Sequence, residues 1–160
     1  MYSNKNYYIL SIDILKNSFS YCNLHLKYDD KPINIMKREI KPKYVDGFVL
    51  AVPKNKINEY LRLARMCGKI WLEHGALEYR ECVGEDLKIS MGVPFPKMIK
   101  IKPKETVIFS WITYKSRAHR DGVNSRVMKD SRMKNMDPKS MPFDPKRMVY
   151  GGFKIVVTAP

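Results

Sequence analysis

Asp46, His74 and Glu81 are the residues of this chain best placed to move a proton, because each sits in or beside a run of β-branched and aromatic residues. A carboxylate or imidazole facing an apolar cavity loses hydration, its pKa moves, and it can serve as a general base. The same groups at a sheet edge would be neutralised by a basic neighbour such as Lys146 or Arg147. Trp111 and Tyr114 stand close together in another apolar run, and such rings can stack on a flat organic molecule. Their plainer role is core or interface packing. Cys82 becomes a nucleophile only if its pKa is lowered, and otherwise behaves as a small apolar side chain.

Other chemistries find less support in the residue pattern. His119 lies among Arg117, Arg120 and Asp121 with no partner four residues away, and the chain has only three His, so no metal site is expected. There is no Gly-rich phosphate loop before a helix, no G-x-S-x-G and no H-E-x-x-H, and no cofactor is expected. The three cysteines show no C-x-x-C spacing, which suits a reducing compartment and a cytoplasmic location. The apolar run Tyr7–Leu15 is broken by Ser11 and Asp13 and is far shorter than the roughly 18 residues a membrane span needs, so no membrane partner is expected.

Thirty Lys and Arg against 16 Asp and Glu give a net charge of +14, which admits an RNA partner. Arg117, Arg120 and Arg126 would carry that reading, in a segment where Met128, Met133, Met136 and Met141 are interleaved with basic residues. Against it, 21 of the 30 cations are Lys, whereas bidentate contacts to phosphates and bases favour the Arg fork. The segment also lacks evident aromatic pairs for stacking bases, so a solvated basic helix over packed Met side chains is the better account of it.

These residues must be positioned by elements that the hydrophobic period locates. Composition shifts near residue 43. Residues 1–42 read as an N-terminal extension, either without fixed structure or the product of a start codon placed too far upstream, with possible strands at Tyr7–Leu15 and Ser20–Tyr28. Residues 43–160 read as one domain. Tyr44–Pro53 is a strand ended by Pro. Lys54–His74 repeats apolar residues at helical spacing, with Gly75 where a left-handed cap belongs. Ala76–Val83 is a second strand, residues 84–104 a long loop with a possible strand at Met98–Ile101, and Thr106–Tyr114 a third strand. Ser116 can cap a helix from Arg117 to about Asp130, and a Pro-containing loop leads to a last strand from Arg147 to about Val157. The order β-α-β-β-α-β predicts an α+β, ferredoxin-like fold, a four-stranded antiparallel sheet with both helices on one face.

The strands are apolar on both sides. Val107, Phe109 and Trp111 alternate with Ile108 and Ile112, so the face without helices needs a cover. A second copy of the chain is the simplest cover, which predicts a homodimer with a cavity or solid core between its sheets; residues 1–35 folding back are the alternative.

Four separated, colinear segments, YVDGFVLAVP (44–53), EHGALEYREC (73–82), ETVIFSWITYKSRAHRD (105–121) and MPFDPKRMVYGGF (141–153), resemble the YbaA-like proteins, a domain of unknown function (DUF1428). The resemblance covers about residues 43–155 and implies a small cytoplasmic protein forming a dimeric α/β barrel of ferredoxin-like topology. Its wider superfamily includes cofactor-free oxygenases, haem-degrading enzymes and stress-response domains, and some members carry names tied to the RNA of the signal recognition particle. The expected function is therefore a homodimer binding a small hydrophobic or aromatic molecule beside its sheet, with cofactor-free oxygenation as the enzymatic version. A basic RNA-binding accessory protein and a purely structural or stress-related module are the other two readings.

Overall fold

The computed structural model describes residues 25–28, 31–34 and 41–159. The chain divides into two compact units, residues 1–39 and 40–160. In the first, β1 (His25–Tyr28) pairs antiparallel with β2 (Lys31–Asn34), Tyr28 opposite Lys31. The strand expected at Tyr7–Leu15 and the front of the one at Ser20–Tyr28 lie outside the described residues.

The second unit is built in the expected order. β3 (Tyr44–Pro53) leads through a short 3-10 turn into α1 (Ile57–Glu73), followed by β4 (Glu78–Val83). A short α2 (Phe95–Met98) precedes β5 (Glu105–Tyr114), then come α3 (Arg117–Val127), α4 (Ser131–Lys134) and β6 (Val149–Lys154). α1 ends where Gly75 takes a φ of +104°, a conformation that a side chain would strain. α3 starts where the Ser116 hydroxyl accepts a hydrogen bond from the His119 backbone N–H at 3.1 Å. Proline fixes the first turn of α2, so Met98 ends a helical turn where an extra strand was expected. Among the described residues no helix is long and apolar enough to cross a membrane.

The sheet order is β4-β5-β3-β6, all antiparallel, which is the ferredoxin-like arrangement. The expected barrel is corrected by this topology: β4 and β6 are the two free edges of an open sheet and do not pair. A closed barrel has no edge strands, whereas here β4 and β6 each keep an unpaired edge.

Register settles which side chains share a face, since directly opposed residues point the same way. Tyr44, Asp46, Phe48, Leu50 and Val52 of β3 lie with Ile108, Ser110, Ile112 and Tyr114 of β5 and with Tyr79 and Glu81 of β4, beneath the helices. Two core clusters form there, one around Ile70, Ile112, Tyr114 and Val123, the other around Leu50, Val52, Tyr60 and Ile108. The opposite face carries Val49, Ala51 and Val107, and the chain's own 84–104 segment covers them with Ile99, Leu87 and Ile101. The cover foreseen from a second copy or from residues 1–35 is thus supplied in part by a connecting loop. Phe95 of that segment packs on Phe109, with ring centroids 6.0 Å apart, yet Phe109 and Phe153 remain 41% and 58% exposed.

Candidate functional site

Side chains of β3, β4 and β5 on the helix-covered face form the floor of a cavity of about 340 Å³. Phe48, Leu50, Ile112 and Ser110 lie in this floor beside Tyr79 and Glu81. α1 supplies one wall through Tyr60, Ala64, Cys67 and Trp71. The roof is Met128, Met133, Met136, Met141 and Met148 with Phe143, drawn from the end of α3 and the irregular chain after it. Phe143 turns inward to meet the Tyr60 ring edge-on at 5.8 Å, and Asp144 holds the loop by accepting from the Lys146 backbone N–H at 3.0 Å. Unbranched thioethers reshape at little cost, so such a roof adapts to what lies under it.

Glu81 is the one carboxylate in this lining. Tyr60 donates its hydroxyl to one carboxylate oxygen at 2.6 Å and Tyr79 donates to the other at 2.7 Å. Burial pushes the Glu81 carboxyl above its ordinary value, and hydrogen bonds from Tyr60, Tyr79 and Ser110 pull part of the way back. Both phenols are raised well above their usual range, first by burial and then by the adjacent carboxylate, so they remain donors. Among the described residues Glu81 forms no ion pair. Cys67 is pushed up to about 11 by burial and by Glu81, which keeps it a neutral thiol.

The other proton-moving candidates are elsewhere. Asp46 is buried on the same sheet face, 3.6 Å from the Arg120 guanidinium, which also donates to the Tyr44 hydroxyl at 3.2 Å. Burial raises the Asp46 carboxyl and Arg120 opposes the rise. Gly152 on β6 makes room for this pair, since a Cβ there would come 2.6 Å from the Tyr44 oxygen and 2.9 Å from the Asp46 carboxylate. His74 closes α1 and its Nε2 lies 2.9 Å from Asp130, which Arg132 and His74 hold well below the usual carboxylate range. The ion pair expected for these acids at the sheet edge forms instead between Arg147 and Glu105, at 2.7 Å.

Trp111 and Tyr114 are not brought together. Three residues apart on β5, they point to opposite faces. Trp111 lies on the helix-free face, packed on Phe109 and donating to Glu78 at 3.3 Å. Tyr114 is fully buried under α3 and donates to Asn124, which also accepts from Trp71. Cys82 is exposed on the helix-free face opposite Phe109. Of the three arginines in the RNA reading, Arg120 is tied to Asp46 and Tyr44, Arg126 donates to the His74 carbonyl at 2.8 Å, and Arg117 is exposed. Among the described residues no group of three or more His, Cys, Asp or Glu could hold a metal ion.

The cavity's principal polar residues, Tyr60, Tyr79 and Ser110, were not singled out by the sequence. A signal existed, because Tyr79 and Glu81 are two apart on a strand and must share a face, but only the register shows that α1 lies over that face.

Residues 43–145, the stretch that builds most of this site, match the family model described as protein of unknown function (DUF1428). The chain belongs to the DUF1428 family. The proteins described as uncharacterized protein YbaA from Escherichia coli K12 and from Shigella flexneri are each 44% identical over 115 residues, covering 72% of this chain and 97% of theirs. Among solved structures, the chain is similar to an uncharacterized NIPSNAP domain protein from Burkholderia xenovorans, with a TM-score of 0.48 and 15% identity over 73% of this chain and 98% of that one. A dimeric ferredoxin-like protein from an uncultured marine organism gives a TM-score of 0.47 and 12% identity, covering 74% and all of the respective chains. The DUF1428 match takes in three of the four sheet strands, β3, β4 and β5, and the YbaA relatives match over a comparable length of 115 residues.

Proposed function

We propose that this DUF1428 protein binds a small apolar or aromatic molecule in the cavity between its sheet and α1. What carries the reading is a single arrangement: an apolar hollow of about 340 Å³, walled by aromatic and Met side chains, with one carboxylate fixed inside it. That volume falls in the range of small-ligand sites, and few, convergent polar groups in an apolar lining are their usual chemistry. Of Asp46, His74 and Glu81, only Glu81 faces the hollow, so it is the residue through which proton transfer of the cofactor-free oxygenase kind would run. The same two phenols that orient it also steady its ionised form, which favours binding over base catalysis as its role.

Ligand-observed NMR with butylbenzene tests the binding reading. The parent protein is expected to broaden the ligand signals, and Met136→Trp, which fills the roof side of the hollow from a loop able to adjust, is expected to abolish the effect. No interaction in the parent, or equal interaction in the folded Trp variant, would remove it. The homodimer belongs to the same proposal, supported by the exposed Phe109 and Phe153 on the helix-free face. The RNA reading has less support, because Arg120 and Arg126 are spent on intramolecular contacts.

A further inference from the structure

A carboxylate removed from water costs free energy unless a cation or a dense set of donors replaces its hydration. Glu81 has donors, one short phenol bond to each oxygen and the Ser110 hydroxyl beside them, but among the described residues it has no cation. This holds in a chain with 30 Lys and Arg, where a structural carboxylate would find a basic partner as readily as Glu105 finds Arg147 and Asp130 finds Arg132. A carboxylate accepts about four hydrogen bonds, so Glu81 retains acceptor capacity after those from Tyr60, Tyr79 and Ser110, and the residue lines the hollow. Around it stand the rings of Phe48, Tyr60, Trp71, Tyr79 and Phe143, whose electron-rich faces attract positive charge in a dehydrated setting.

We infer that the ligand of this cavity is a small organic cation, a protonated amine on an alkyl or aromatic body, with its nitrogen at Glu81 and its body under the methionine roof. The inference rests on the binding reading above and narrows it to one chemical class. A positive group would restore the stabilisation that burial takes from the carboxylate, and the apolar body would displace water from the walls. The geometry also explains the paired tyrosines: they hold the carboxylate in one orientation, so that its free acceptor positions are fixed before the ligand arrives. The net charge of +14 opposes a cation at long range, but at physiological salt that field is screened over about 8 Å.

Three probes of equal size separate the possibilities: 3-phenylpropylamine, 3-phenylpropanol and butylbenzene, titrated by calorimetry or NMR into the full chain and its Glu81→Gln variant. The amine is expected to bind at least about tenfold more tightly than either neutral probe, in line with a charge-assisted contact, and to lose that margin in Glu81→Gln. A far-UV circular dichroism spectrum matching the parent's shows that the variant is folded, so loss of the amine margin reports on the carboxylate. An alcohol that matches the amine would overturn the cation inference while leaving the cavity reading intact, as would an amine preference that survives Glu81→Gln. If butylbenzene does not bind the parent chain, the cavity reading itself fails and takes the inference with it.

Discussion

Glu81 is held at a cost to the fold, and the sign of that cost can be measured. Its folded pKa lies above the ordinary 4.5, chiefly through burial. Folding therefore favours the protonated form: the contribution is fully present below the unfolded value and declines as pH rises through that value and then through the higher folded one. Glu81→Gln removes the ionisation. The variant is expected to match the parent near pH 4 and to exceed it at pH 7 by up to about 1 kcal/mol, a figure kept small because the carboxylate is only partly buried. Urea titrations at the two pH values give the comparison, and a less stable variant at pH 7 would mean that the tyrosine bonds outweigh the burial cost. A residue that lowers stability yet is clamped by two phenols is what a binding site retains and a core discards.

At the level of elements, α1 and β4 meet at a point that decides where the Tyr79 hydroxyl can reach. Gly68 lies in the interior of α1, where glycine costs about 1 kcal/mol relative to alanine. A Cβ at this position would stand 2.9 Å from Cδ1 of the Tyr79 ring, so the missing side chain lets the strand's tyrosine pass beneath the helix and donate to Glu81. Gly68→Ala gains helix propensity but overpacks, at a cost of about 1–3 kcal/mol. The variant is expected to unfold at lower urea than the parent; a higher midpoint would show that the tyrosine yields without loss. On the same helix, Ala64 and Cys67 line the cavity.

For the whole molecule, the two faces of the sheet have separate fates. The helix-covered face holds the core and the cavity, while the other is half covered by the 84–104 segment and leaves Phe95, Phe109 and Phe153 exposed. Phe95, Phe109 and Trp111 form a continuous aromatic row, with centroids 6.0 and 5.4 Å apart. A contiguous apolar patch of this kind is suited to self-association through a two-fold axis. Sedimentation is expected to find a dimer for the parent and a monomer for the Phe109→Ser, Phe153→Ser double variant, with butylbenzene still bound by the monomer because the cavity lies within one chain. A parent that sediments as a monomer across concentration would dispose of the homodimer.

Local periodicity was enough to determine the order of the four sheet strands and the two long helices, and hence the α+β, ferredoxin-like plan, because apolar spacing, Ser116 as a cap and Gly75 as a stop act within a few residues of themselves. It could not determine which side of the sheet would receive α1 and α3. Alternation says that Tyr79 and Glu81 share a face and that Trp111 and Tyr114 do not, but both faces are apolar, so the pattern is the same whichever one the helices choose. Strand register and helix docking, which join residues far apart in sequence, made that choice. They placed Glu81 in a cavity, Asp46 against Arg120 and His74 against Asp130, and they left the four-stranded sheet open.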